Sequence, residues 1–327
     1  MEHKEILHWL EGRDDVALFD WADRVRQRVW GEGVLVRGII ELSNYCVRNC
    51  WYCGLRRDHR ALNRFRLSRE VILGLVQRMY TDGLRVVVLQ SGDDVALSTE
   101  WIADLVSTIK DTWPELRVTL SLGERNDEAY RAWREAGADR YLLKHETADP
   151  TLYAHLHPGQ KLARRLQILE VLRELGYEIG TGCIVGLPGQ TPSMLAHDIM
   201  LIRELQPEMI AIGPFLPHHA TPLASAPAGS FLLTLRTLAL ARVLVPRARL
   251  PATTALATLA AKDGLAEGLR VGCNVIMCSY TPQEQREWYT IYDRKYQITL
   301  TRAREAACSA GRFLSLEEYQ PATVTTH

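Results

Sequence analysis

The chain has 327 residues, 47% of them hydrophobic, and its 39 basic side chains balance 39 acidic ones. That length and apolar content suit one large α/β barrel or two ordinary domains. The neutral balance argues against a general nucleic-acid or anionic-membrane binder, though a local basic pocket stays open.

Residues 1–8 lack the apolar run of a signal peptide. No apolar run reaches the roughly 18 residues of a membrane span, so the expected compartment is the cytoplasm. Residues 1–33 predict helices outside the main fold: Ile6, Leu7 and Leu10, then Leu18, Trp21, Ala22 and Val25, recur at helical spacing. Strands are predicted over 34–42, 86–90, 117–121, 140–144, 178–185, 209–213, 249–253 and 273–277. Helices fill the gaps. Ser68 opens 68–82 and Gly83 closes it; 99–112 stops before Pro114; 127–136 closes at Gly137; 162–175 closes at Gly176. Pro192 opens 192–205, which stops before Pro207, and 232–244 stops before Pro246. Eight alternations predict an α/β fold, a parallel (β/α)8 TIM-type barrel over 34–304. An N-terminal helical extension (1–33) precedes it, and a loosely ordered C-terminal tail (305–327) follows.

Sites in such barrels lie at the carboxyl ends of the strands. The loop after the first predicted strand reads Ser43-Asn44-Tyr45-Cys46-Val47-Arg48-Asn49-Cys50-Trp51-Tyr52-Cys53-Gly54. Three thiolates on one C-x3-C-x2-C loop can hold three corners of a cubane iron–sulfur cluster and leave one iron open. Zinc is the competing reading. It takes four protein ligands, often two C-x2-C pairs or one pair followed by histidines. The second pair is missing, yet His59 stands six residues after Cys53 and would complete four. With seven cysteines, an odd number, the chain reads as an intracellular metal protein rather than a disulfide scaffold.

Gln90-Ser91-Gly92-Asp93-Asp94 closes the second strand, where a turn can present backbone N–H and C=O groups and Gly92 allows close approach. Ser/Gly turns are also common at strand ends without a ligand. Glu146 follows the fourth strand and Arg165 starts the next helix. A carboxylate and a guanidinium there can bind the polar ends of one ligand, or form an ordinary surface ion pair. The glycine-rich run 181–191 lets backbone approach a flat ligand. It is no P-loop, because no lysine follows the last glycine, and it lacks the dinucleotide G-x-G-x-x-G spacing. Cys183 within it reads as a small core residue. Thr253 and Thr254 end the seventh strand, with hydroxyls for an anion or with no ligand at all. Met277, Tyr289 and Tyr292 suit the far wall of a cavity or plain packing. Cys273, Cys278 and Cys308 are scattered and predict no second cluster. His218 and His219 are a candidate ligand pair, but neighbours on extended backbone point apart.

In order along the chain come the cysteine loop with Gly54-Leu55-Arg56, then Leu89-Gln90-Ser91-Gly92, Thr119-Leu120-Ser121-Leu122-Gly123-Glu124 and Asp139-Arg140-Tyr141-Leu142-Leu143. His145-Glu146-Thr147, Gly186-Leu187-Pro188-Gly189-Gln190-Thr191, Ile212-Gly213-Pro214-Phe215 and Pro251-Ala252-Thr253-Thr254-Ala255 complete the series. Together, over about residues 35–300, they closely resemble the HydE family of radical S-adenosylmethionine (radical SAM) enzymes, the [FeFe]-hydrogenase maturases. Biotin synthase and methylornithine synthase are more distant relatives. The resemblance implies a [4Fe–4S] cluster on Cys46, Cys50 and Cys53. SAM would chelate the open iron and be cleaved reductively to methionine and a 5′-deoxyadenosyl radical. Gln90, Ser91, Gly92, Ser121, Glu146 and Arg165 would hold SAM.

The implied substrate is a cysteine-bound iron complex with carbon monoxide and cyanide, Fe(CO)2(CN), made by a partner maturase for the hydrogenase H-cluster. Thr119, Arg140, Thr253, Thr254, Met277 and Tyr292 would face it. Implied partners are other hydrogenase maturases and an electron donor, with neither nucleic acid nor membrane. Two departures stand out. Lys144 replaces the arginine of the family's Leu-Leu-Arg-His-Glu, keeping the charge and losing the bidentate fork. The C-terminal cysteine set that some members use for a second cluster is reduced to Cys308. The alternatives are a methylornithine-synthase-like or other radical SAM enzyme of amino-acid or cofactor biosynthesis, with a carboxylate clamp at Thr253 and Thr254, and a metal carrier that cleaves no SAM.

Overall fold

The strands are parallel, and the longest of them are runs rich in valine, isoleucine and leucine buried on both faces. In chain order they are β1 (Gly33–Ser43), β2 (Val86–Ser91), β3 (Arg117–Ser121), β4 (Arg140–Leu142), β5 (Glu178–Thr181), β6 (Ile184–Val185), β7 (Met209–Ile210), β8 (Gly213–Pro214), β9 (Pro251–Ala252), β10 (Val275–Ser279) and β11 (Phe313–Ser315). The computed structural model describes residues 1–260, 263–317 and 319–322. In it the row β7-β5-β4-β3-β2-β1-β10-β9 is parallel throughout. A bridge between Met209 and Arg249 brings the two ends of the row together. The result is the near-closed barrel of eight strands that the alternation predicts.

Helices Arg69–Thr81, Thr99–Thr112, Asp127–Glu135, Leu162–Glu174, Pro192–Leu205 and Phe231–Leu244 return the chain between strands. Ser68, Ser98 and Asn126 cap the first three by accepting the N–H of Val71, Trp101 and Ala129. The amino-terminal helices His3–Leu10 and Asp15–Trp30 pack against Pro192–Leu205 and Phe231–Leu244. There Arg236 donates to Asp15 at 2.6 and 2.9 Å and to the Leu10 carbonyl at 3.1 Å. Among the described residues no helix is long and apolar enough to cross a membrane.

Two predicted strands are broken. The run 178–185 is interrupted at Gly182 and Cys183, and the run 209–213 at Ala211 and Ile212. At these points the chain steps off the barrel and pairs β6 with β8 as a separate two-stranded sheet. A Cβ at Gly182 would overlap the Ala211 carbonyl oxygen, so the step requires glycine. The reading of 305–327 as a loose tail fails over the described residues 305–317 and 319–322; the Tyr319 hydroxyl lies 2.7 Å from the Gly33 carbonyl and the Ala322 N–H donates to the Val29 carbonyl at 2.9 Å. Leu300–Ser309 is a helix capped by Thr299, and β11 pairs with the start of β1, Phe313 opposite Gly33. Residues 323–327 lie outside the described ones. The helices Pro150–Leu156, Thr254–Leu259, Gly264–Arg270 and Gln283–Trp288 are new. Each has seven residues or fewer, too few to display a helical period.

The Gly182 carbonyl accepts the Glu146 N–H at 3.0 Å, so this step also fixes a candidate site residue. Gly182→Ala is expected to destabilise the protein by about 1–3 kcal/mol through overpacking, read as a lowered urea midpoint. An unchanged midpoint would contradict the close approach at Ala211.

Candidate active site

β1 delivers the chain into the loop that carries Cys46, Cys50 and Cys53, all free and partly buried. The loop is tied down on several sides. Asn44 Nδ2 donates to the carbonyls of Asn63 at 2.7 Å and Trp288 at 2.9 Å. Val47 N–H donates to the Asp93 carbonyl at 3.0 Å, and Gly54 N–H to the Ile291 carbonyl at 2.8 Å. At Gly92 a Cβ would overlap the Tyr45 carbonyl oxygen and meet Cys46 Cβ at 2.8 Å. Two donors aim at sulfur: the Asp93 N–H, 3.3 Å from Cys46 Sγ, and Gln160 Nε2, 3.7 Å from Cys50 Sγ. Burial raises the pKa of all three thiols, and the charge of Cys46 helps to push Cys50 up to about 12. Such thiols become good ligands when a cation sits among them.

Zinc and a cubane ask for different spacings of their thiols. Tetrahedral zinc, with Zn–S bonds of about 2.3 Å, holds its donors roughly 3.8 Å apart. Among the described residues, the group of three or more candidate metal ligands with all ligand atoms within 4.8 Å is His218, His219 and Asp293. The cysteines, with or without His59, are not among such groups. His59 Nδ1 is 2.7 Å from the Gly54 carbonyl, which orients its ring along the loop. A cubane places each thiolate on a different iron and so takes thiols set further apart than a single zinc does.

His218 and His219 do not point apart. Their rings stack at 4.4 Å and 24°, because the chain turns there instead of extending. The Ala220 N–H donates to His218 Nδ1 at 3.1 Å, which leaves the ring proton on Nε2, 3.6 Å from Asp293. Asp293 also accepts from the His219 N–H at 2.9 Å and pairs with His219 Nδ1 at 2.8 Å. Hydrogen bonding therefore accounts for this group without a metal.

The cysteine loop borders a cavity of about 590 Å³ at the carboxyl ends of the barrel strands. Tyr52, between the second and third cysteines, forms part of its wall, together with Gln90, Ser121 and Glu146. Thr253, Thr254, Met277 and Tyr292 line it as well. Glu146 holds a left-handed backbone, φ 66°, a strained state for a non-glycine residue that surrounding contacts must enforce. The Ile184 N–H donates to its carbonyl at 2.9 Å. Next to it, the buried His145 sits 3.0 Å from Thr181 Oγ1 and 3.4 Å from Asp198. Lys144 Nζ lies 2.9 Å from Glu146 Oε2. The lysine that departs from the family pattern is thus the cationic partner of the candidate SAM carboxylate.

Other candidates stand elsewhere. Arg165 is buried outside the cavity wall, donating to Glu124 Oε1 and the Lys144 carbonyl, both at 2.9 Å. Ser91 is buried and Gly92 lies against the cysteine loop. Thr119 and Arg140 sit two residues before Ser121 and Leu142 on inward-facing positions, one layer deeper, and are not part of the wall. Arg140 Nε donates to Glu178 at 2.7 Å. Thr253 Oγ1 is committed in part to capping Thr254–Leu259 by accepting the Leu256 N–H at 3.3 Å. Tyr289 is core, as are Cys183, Cys273 and Cys278, whereas Cys308 is exposed.

Sequence reasoning missed Glu41 and Gln160. Glu41 lines the cavity although it is buried, held by Lys295 Nζ at 2.8 Å and the Thr281 hydroxyl. A carboxylate in a first strand whose only other charged residue is Arg37 was the available signal. Gln160 has no local signature, since its role comes from reaching Cys50 across the fold.

A parallel barrel with three thiols on the loop after its first strand, bordering a cavity that Glu146 lines, is the arrangement of a radical SAM enzyme. The chain matches the Radical SAM superfamily over residues 40–202. The [FeFe] hydrogenase maturase subunit HydE of Thermotoga maritima is 47% identical, with 89% of this chain and 83% of that protein covered. A 3-methylornithine synthase of Methanosarcina acetivorans is 28% identical over 87% of this chain and 81% of that one. A methylornithine synthase crystal structure superposes with a TM-score of 0.86 at 24% identity, covering 96% of this chain and 94% of that one, which supports the fold. This chain belongs to the HydE family of [FeFe]-hydrogenase maturases and is an enzyme; its family implies use of a [4Fe–4S] cluster and SAM.

His157 tests the packing behind the loop. Its Nδ1 is 2.9 Å from the Tyr153 carbonyl, so Nδ1 carries the proton and Nε2 accepts from the Tyr52 hydroxyl at 2.7 Å. Burial, and next the Arg165 charge, pull its pKa down from 6.5 to about 4. The unfolded chain then binds this proton more tightly, so stability is lost as pH falls from 6.5 through about 4. The expected loss is about 3 kcal/mol by the bottom of that window. His157→Gln is expected to flatten this slope in urea unfolding across the window, and an unchanged slope would contradict the assignment.

Proposed function

We propose that this maturase binds its cluster through Cys46, Cys50 and Cys53. We further propose that it acts on a small cysteine-bound iron complex with carbon monoxide and cyanide, a precursor of the H-cluster, alongside other hydrogenase maturases. The observation that carries the reading is the junction between the cysteine loop and the cavity: Tyr52 belongs to both, and the Gly54 N–H is bonded to Ile291, another wall residue. When bound, the cluster and SAM supply reductive cleavage of the sulfonium. The protein's own groups bind, orient and enclose.

Gln90, Ser91, Gly92, Ser121 and Glu146 are assigned to SAM. The Glu146 carboxylate offers negative charge toward the sulfonium and ribose, in a partly desolvated wall where charge-assisted bonds are strong. Arg165 joins them less directly. Its Nη2 is 3.4 Å from Gln160 Oε1, so it braces the side chain that reaches Cys50. Thr253, Thr254, Met277 and Tyr292 are assigned to the iron complex, with Thr119 and Arg140 supporting the floor beneath it. The cavity volume falls in the ordinary range for small-molecule sites, and Tyr52 of the cysteine loop lies in its wall.

The test is 5′-deoxyadenosine release by the reconstituted, chemically reduced protein with and without the cysteine-bound iron dicarbonyl–cyanide complex. Stimulation by the complex, abolished in Cys50→Ala, is the expected result. Release that ignores the complex would overturn the substrate, and no release from a fully loaded protein would overturn the enzyme reading. Glu146→Gln is expected to raise the KM for SAM by about 10- to 100-fold, the loss of one hydrogen bond to a charged group.

A further inference from the structure

We propose that the surface around the cysteine loop docks an acidic one-electron carrier protein of the ferredoxin type. This rests on the assignment of the cluster to Cys46, Cys50 and Cys53.

Printed contacts knit the surface into one patch. The Val47 N–H donates to the Asp93 carbonyl at 3.0 Å, which sets Val47 beside the turn that carries Val95. The Arg66 guanidinium lies 3.7 Å over the Tyr45 ring and pairs with Asp94, next to Val95, at 2.7 and 2.9 Å. The Arg57 N–H donates to the Arg48 carbonyl at 2.8 Å. Tyr45, Val47 and Val95 are among the exposed large hydrophobic residues of the chain, Val95 at 70%. Around them stand Arg48, Arg57 and Arg66.

The charges on this patch differ in availability. Arg48 is answered by Asp93 and Arg66 by Asp94. Arg57 is 64% exposed, and the carboxylate nearest it, Asp58 at 3.4 Å, is exposed as well. Arg60 is exposed one turn further on. An aromatic and aliphatic centre rimmed by arginine is the composition of a protein interface. The chain as a whole is neutral, so the positive rim is a local feature, and it complements an acidic partner and speeds encounter.

The chemistry selects a redox partner. Each SAM cleaved consumes one electron, which the protein's own side chains cannot supply. At the interface the donor is oxidised by one electron and the cluster is reduced by one, with no bond formed or broken. Electron transfer slows steeply with distance, so the donor must sit against the loop that holds the cluster, and this patch is the outer face of that loop.

The experiment compares the reconstituted wild-type enzyme with the R57E/R60E double variant and with Val95→Glu. None of these residues is assigned to cluster, SAM or substrate. The dissociation constant for an acidic bacterial ferredoxin is measured at increasing salt, together with SAM cleavage driven by that ferredoxin and by dithionite. Ferredoxin binding is expected to weaken with salt in the wild type and by about 10-fold or more in each variant. Ferredoxin-driven cleavage should fall in parallel at limiting donor, with dithionite-driven cleavage and iron content unchanged. Equal ferredoxin affinity and equal ferredoxin-driven rates in all three proteins would overturn the proposal. So would a wild-type dimer that the variants dissolve without any change in ferredoxin affinity, because the patch would then be seating a second copy of the chain. A wild type that cleaves no SAM with dithionite would overturn the proposed function instead, and the affinity comparison would still decide the docking.

Discussion

Three thiols on one eight-residue loop must be ionised to bind a metal, yet burial and mutual repulsion both oppose that charge. The surroundings of the loop answer this constraint. Asp93 is the hub. Its N–H points at Cys46 Sγ and its carbonyl receives Val47. Its carboxylate accepts the Glu124 N–H at 2.7 Å and pairs with Arg48 and with Arg125. One residue at the end of β2 thereby joins the cysteine loop to the segment that follows β3. Gly92 before it permits the approach, and no larger residue would fit between Tyr45 and Cys46.

Charge around the cavity is arranged in partnered sets. Glu146 faces Lys144, Glu124 faces Arg165 and Arg48, and Glu41 faces Lys295. Each set places a carboxylate oxygen within 2.8–3.3 Å of a cationic nitrogen. Lysine in place of arginine at 144 matters here in a particular way. An ammonium is a compact point charge on a flexible stem, so it can stay with Glu146 or move when a ligand claims that carboxylate. A bidentate arginine would hold Glu146 in a more fixed geometry.

Much of this was legible in the sequence because the signals are local. β-branched runs and capped amphipathic stretches mark the barrel strands and their return helices, and the C-x3-C-x2-C loop marks the candidate metal site. What escaped depends on distant parts of the chain. The breaks at 182–183 and 211–212 arise from pairing between β6 and β8. The order of 313–315 arises from β1, whose first residues offer a free edge to a short strand with no alternating pattern of its own. Thr119 and Arg140 were placed at the substrate by the family resemblance; the depth of each along its strand was not in the pattern. Gln160 and Glu41 acquire roles through contacts with Cys50 and Lys295 that no spacing rule encodes.

The central claim is that three protein thiolates hold a four-iron cluster whose remaining iron is open to SAM. Mössbauer spectroscopy of the anoxically reconstituted, ⁵⁷Fe-enriched protein tests it directly, before and after SAM is added. The account predicts that one iron in four changes its signal on SAM binding while the other three do not. Four irons that all ignore SAM, or a loop that takes zinc in place of iron under the same conditions, would contradict it.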